Sequence, residues 1–243
     1  MKTIKNRALL FLLASLFILP ACHDDDLFGI RGEGPTVSEN REISDFDRIE
    51  LEVDAEVILQ QGEEQEVVVE AQQNILSALE TDVKNGKLEI DFGGRHVRRH
   101  NDIKIYITVP DITSLKVAGS GSIRGADDFE VVDLDLNVSG SGKIDFGVKG
   151  ANSIDTDISG SGDLYLNGKV TRHQANISGS GKIKAYELIT TNADMEITGS
   201  GNAEVYVTDR LKAKITGSGK VRYKGSPSVE VNVSGSGKVE NAN

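Results

Sequence analysis

The sequence predicts an all-β solenoid: a single-stranded parallel β-helix with an N-terminal β-rich capping region that contains one short helix. Two observations predict it. Gly-Ser-Gly recurs seven times, beginning at Gly119, Gly140, Gly160, Gly179, Gly199, Gly217 and Gly235, in steps of 21, 20, 19, 20, 18 and 18 residues. A constant period of this length is the mark of stacked repeats. Around each triplet, apolar and polar residues alternate, as in Leu134, Leu136, Val138, Ile144 and Phe146 against Asp135, Asn137, Ser139, Lys143 and Asp145. Period two is the pattern of a half-buried strand. Each unit is therefore a strand, a glycine corner, a second strand and a loop.

Both glycines of each triplet fall on the inward parity. The second members are Gly121, Gly142, Gly162, Gly181, Gly201, Gly219 and Gly237. Lacking Cβ, they let the backbone turn with positive φ or approach another backbone closely. Gly147 to Ser153, Asn167-Gly168, Asn192 and Gly225-Ser226-Pro227 are expected to be turns. Coils stacked at a strand spacing of about 4.8 Å place equivalent residues in columns. Ser120, Ser141, Ser161, Ser180, Ser200, Ser218 and Ser236 form one outward column. Ala118, Ser139, Ser159, Ser178, Thr198, Thr216 and Ser234 form another. Lys143, Asp163 and Lys182 alternate in sign, and Asp194 and Glu196 lie one coil below Lys212 and Lys214.

Before the array, Leu51, Val53, Ala55 and Val57 alternate with acids, and Val53-Asp54-Ala55 occupies the place of a Gly-Ser-Gly. This reads as a degenerate first coil. Residues 74–80 suit a short helix with Asn74 as N-cap, and Asn85-Gly86 is a hairpin turn. This region caps the solenoid, since an open strand edge needs covering.

The N-terminus has Lys2, Lys5 and Arg7 before an apolar run from Ala8 to Leu19, too short for a membrane span. Leu19-Pro20-Ala21-Cys22 resembles a bacterial lipobox, which makes Cys22 the lipidated first residue of the mature chain and its tie to the membrane. Asp24, Asp25 and Asp26 resemble the surface-export signal of Bacteroidetes-type lipoproteins. The expected organisation is a signal peptide over 1–21, a flexible acidic tether over 22–40 and one domain over 41–243. That domain divides into a cap over 41–116 and seven coils over 117–243. Cleavage would remove three basic residues and no acid, carrying the net charge from −11 to −14. That charge argues against nucleic acid as a partner. Cys22 is the one cysteine, so no intrachain disulfide forms.

In order along the chain stand Phe46-Asp47-Arg48-Ile49, Gln61-Gly62-Glu63, Asn74-Ile75-Leu76, Gly86-Lys87-Leu88, Tyr106 to Asp111 and the Gly-Ser-Gly array. Together they resemble the bacterial head GIN domain family, labelled auto-transporter adhesins, over about residues 41–239. The resemblance implies a right-handed parallel β-helix in secreted or lipid-anchored proteins, and it brings no catalytic residues.

No nucleophile or metal motif stands out. His23, His96, His100 and His173 lack metal-ligand spacing. Two clusters are candidates. Asp133, Asp135, Asp155 and Asp157 stack by register, and Ca²⁺ would offset their repulsion. Arg95, Arg98 and Arg99, with His96 and His100, form a basic loop suited to an anionic glycan or partner. The expected function is a lipid-anchored outer-membrane protein, surface-displayed, that binds a glycan, matrix or surface protein without a cofactor. The alternatives are a Ca²⁺-dependent polysaccharide lyase-like enzyme using Lys143, Asp145 and the Asp155 group, and a periplasmic scaffold lipoprotein.

Overall fold

A computed structural model describes residues 29–243. The signal peptide, Cys22 and the acidic residues after it lie outside the described residues. The N-terminal region holds β1 (Ile30–Arg31), β2 (Thr36–Asn40), β3 (Arg48–Leu51), β4 (Glu56–Gln61), β5 (Glu66–Gln72), α1 (Gln73–Ala78), β6 (Glu80–Lys84), β7 (Lys87–Asp91), β8 (Val97–Arg99) and β9 (Lys104–Val109). The array holds β10 (Ser114–Gly119), β11 (Ser122–Glu130), β12 (Asp133–Gly140), β13 (Lys143–Gly160), β14 (Asp163–Gly179), β15 (Lys182–Gly199), β16 (Asn202–Gly217), β17 (Lys220–Lys224), β18 (Ser228–Gly235) and β19 (Lys238–Asn241).

These strands build a parallel β-solenoid, as the repeat predicts. Six successive pairings put the first glycine of all seven triplets in one column, from Gly119 opposite Gly140 to Gly217 opposite Gly235. Strand segments before the corner form one ladder and segments after it form another. Leu134, Leu136, Val138, Ile144 and Phe146 are all buried, so the parity read from the sequence is the inside and outside of the coil.

The two glycines of a corner do different work. Gly140 has φ +117°, a backbone state that strains any L side chain. Gly142 has an ordinary backbone but no room: a Cβ there would stand 2.4 Å from a methyl of Val117 in the preceding coil. The corner also pairs its own backbone, with Ser141 N donating to Gly119 O at 2.9 Å and Lys143 N donating to Gly121 O at 3.0 Å. The corner therefore stays hydrogen-bonded to the coil beside it.

The turns expected at Gly147 to Ser153, Asn167-Gly168 and Asn192 are not breaks. β13, β14 and β15 run through them with register shifts, and of the expected turns Gly225-Ser226-Pro227 alone separates two strands. A bulge suffices because the coil beneath keeps supplying backbone partners through the bend. The tether expected over 22–40 is ordered from β1 onward: β2 pairs antiparallel with β5, and β1 pairs parallel with β8.

The degenerate coil is confirmed in phase. Leu51 pairs with Val117 and Glu56 with Ser122, which sets Val53-Asp54-Ala55 beneath Gly119-Ser120-Gly121. A further coil, β7 and β9, stacks on its other side. Chain order is therefore not spatial order, since β10 follows β9 in sequence yet pairs with β3. Antiparallel β6 and β5 border this outer coil and end the parallel stack. Asn85 (φ 53°) and Gly86 (φ 75°) form the expected hairpin turn. Asn74 is not the N-cap. Gln72 holds that position without a side-chain bond, and Asn74 lies inside α1. Its amide accepts from Glu33 N at 2.9 Å and donates to Arg31 O at 2.6 Å, stapling the N-terminal segment down. At the far end, β18 is exposed along its whole length.

Candidate functional site

The outer face of the ladder before the corner carries the polar columns. Lys116, Asn137, Asp157, Asn176, Glu196 and Lys214 follow one another in register. Ser139, Ser159, Ser178, Thr198 and Thr216 follow in the next column. Strands impose this display, because every second side chain must leave the sheet. Five coils of these two columns line a shallow groove of about 450 Å³. Within it Asn176 Nδ2 donates to Asp157 Oδ1 at 3.0 Å, and at its end Lys214 pairs with Glu196 at 2.6 Å. From Asn137 to Glu196 each coil thus presents one amide or carboxylate beside one hydroxyl along an open trough.

The aspartate cluster stacks in the expected register, Asp135 on Asp155 and Asn137 on Asp157. It does not form a metal centre: among the described residues, no group of three or more His, Cys, Asp or Glu side chains is placed to hold an ion. Neighbours already engage the members. Asp133 accepts from Ser153 Oγ at 2.6 Å and Asn152 Nδ2 at 3.2 Å, and these bonds hold its carboxyl below the usual range. Burial, then the charges of Asp155 and Asp157, push Asp135 upward. That upward shift is the mark of the repulsion between stacked carboxylates. Lys143, the candidate base beside this cluster, is held by Asp145 at 3.0 Å and stands 4.3 Å over the Tyr165 ring.

The structure divides the basic loop. Arg95 is a brace, donating to Ala78 O at 2.8 Å and pairing with Glu80 at 3.1 Å. Arg98 and Arg99 line a hollow of about 510 Å³ with His100, Asp54, Asp102 and Ser120. The loop therefore overhangs the degenerate corner and the first Gly-Ser-Gly, a proximity that sequence spacing does not reveal.

Two further features escape a reading of motifs. Tyr165 is outward, flanked by Lys143 and by Lys184, whose Nζ donates to its hydroxyl at 2.9 Å. Tyr186 sits in a register shift between coils, half-buried on the surface, with Lys224 Nζ 4.6 Å over its ring. Parity alone exposes Tyr165; the bulge that places Tyr186 is visible only once coils are aligned. His173 is fully buried, hydrogen-bonded through Nε2 to Thr156 Oγ1 at 3.2 Å. Its parity with Ala175 and Ile177 was the available signal.

Comparison with known proteins places these features in a family. No curated protein matches the chain. A crystal structure of a "putative adhesin" from Bacteroides fragilis superposes with a TM-score of 0.82 at 22% identity, over 88% of this chain and 100% of that one. A "putative lipid binding protein" from Parabacteroides distasonis gives 0.74 at 26% identity, over 88% and 99%. A "putative adhesin" from the same species gives 0.71 at 28%, over 88% and 99%. The family model described as "Putative auto-transporter adhesin, head GIN domain" matches residues 45–227. The chain belongs to the head GIN domain family.

Proposed function

We propose that this chain is a lipid-anchored adhesin on the surface of a Bacteroidetes-type cell, binding an extended glycan or matrix polymer along its flank and performing no catalysis. The observation that carries this reading is the groove over Asn137, Asp157, Asn176 and Glu196. Its donors and acceptors repeat at the coil spacing of about 4.8 Å, so the trough offers a periodic row of partners to a polymer. A long shallow surface is how solenoids bind. The family description and the adhesin-named neighbour at 28% identity support the same reading. Anchoring rests on the lipobox at Cys22.

The test is a glycan and matrix array probed with the mature chain, with and without Ca²⁺, and read for product release as well as retention. The expected result is retention without product, independent of Ca²⁺ and abolished by Asn176→Arg, which fills the trough. Product release, or binding indifferent to Asn176→Arg and Asn137→Arg, would overturn the proposal. Palmitate labelling of the expressed protein, lost on Cys22→Ser, tests the anchor. Protease shaving of intact cells separates surface display from a periplasmic location.

A further inference from the structure

The polar trough runs along the solenoid; at the N-terminal end two arginines are set side by side. There β1 and β8 form a two-stranded parallel ribbon in which Arg31 stands directly opposite Arg99. Both side chains are exposed. Like charges opposite one another in a sheet destabilise the pairing. Among the described residues, neither Arg31 nor Arg99 has a carboxylate partner, whereas Lys212 and Lys214 are matched to Asp194 and Glu196 one coil away. Asp54 and Asp102 share the hollow beneath the loop, and Glu56, also there, is paired with Arg124 at 3.4 Å. Among the described residues, a chain of net charge −11 thus sets two guanidinium groups without a carboxylate partner side by side.

We propose that the face around Arg31 and Arg99 docks on anionic lipid headgroups of the membrane that holds the chain, and sets the solenoid's orientation on it. The position of the ribbon selects this partner over a soluble glycan. β1 starts at Ile30, so the first described strand after Cys22 belongs to this face. The seven residues between Cys22 and Ile30 span at most about 25 Å when extended. A lipid on Cys22 therefore keeps the ribbon near the bilayer, where anionic headgroups attract arginine within a Debye length. The trough and the far coils then point away from the membrane. This orientation rests on the anchoring reading; the affinity of the face for anionic lipid does not.

The experiment uses the mature chain carrying Cys22→Ser, so that no lipid assists binding. It is sedimented with vesicles of phosphatidylcholine alone and with phosphatidylglycerol added. The expected result is binding to the anionic vesicles only, lost at high salt. Arg31→Gln and Arg99→Gln should each weaken it about fivefold, and Arg31→Lys and Arg99→Lys should largely retain it. Equal binding to both vesicle types, no binding to either, or indifference to the Gln substitutions would overturn the proposal. Palmitate labelling of the chain that retains Cys22 reports on the anchor separately, so failure of docking and failure of anchoring are told apart.

Discussion

Gly160 lies so tightly over Gly140 that a Cβ added to it would stand 2.5 Å from the Gly140 carbonyl oxygen. Its φ of +118° adds backbone strain to that clash. The obstacle is backbone, which cannot swing aside. Gly160→Ala is therefore expected to cost roughly 3 kcal/mol, from φ strain and overpacking together. Ser161→Ala, one residue on and exposed, should change stability by less than about 0.5 kcal/mol. Denaturant melts of the two variants check the contrast.

The glycines also show what the sequence makes legible. Parity and period alone reveal which residues face inward, and they place Val53-Asp54-Ala55 beneath the first Gly-Ser-Gly. They cannot reveal that β7 and β9 form an outer coil, because residues 92–102 replace its corner and the chain visits the coils out of spatial order. Asn74 misleads because residue type marks a helix cap, whereas only the fold shows Arg31 and Glu33 lying within its reach. The same folding-back of β1 turns an expected tether into half of a basic face. The trough was readable as columns of hydroxyls and carboxylates. The division of the basic loop into a brace at Arg95 and an exposed pair at Arg31 and Arg99 was not, since Arg31 comes from a segment that gives no strand signal.

His173 is the buried titratable group of the repeat core. Burial pushes its imidazole down to about 4, and Nδ1 has no partner. The folded state therefore requires the neutral ring, while the unfolded chain takes up a proton near pH 6.5. Stability is full above about pH 6.5 and falls as pH drops toward 4, by about 3 kcal/mol across that window. Thermal melts at neutral and acidic pH should show this decline. The double variant His173→Leu, Thr156→Val replaces both hydrogen-bonding partners with apolar groups and should flatten it. An unchanged pH slope in the double variant would remove His173 as the cause.

Glu50 ties three coils together. It is 5% exposed and accepts from Lys87 in the outer coil, while Lys116 in the first Gly-Ser-Gly coil pairs with it at 2.5 Å. Burial raises its proton affinity, but the two lysine hydrogen bonds outweigh burial and hold the carboxyl below its ordinary value. Its contribution is present above about pH 4.5 and is lost as pH falls through the lowered value. Glu50→Gln should cost about 1–2 kcal/mol at neutral pH, because both lysines are partly exposed and can turn to water. Its acid limb should also be shallower than that of the unsubstituted chain, which titration-monitored unfolding would measure.

The last coil and the coil beside it differ in how well they bury equivalent side chains. Ile215 and Val233 are register partners on the inward face, yet Ile215 is 1% exposed and Val233 37%. Ile215 has a coil on either side of it. Val233 lies in β18, the last coil described, with neighbours on one side only. Hydrophobic stabilisation follows the apolar area removed from water, and a cavity term is added only where surrounding atoms cannot relax. Ile215→Ala is therefore expected to cost about 2–5 kcal/mol. Val233→Ala should cost under about 1 kcal/mol, since water already reaches that side chain. Equal losses in the two variants would mean that β18 is covered in solution, and sedimentation of the unsubstituted chain would then show whether a second copy covers it.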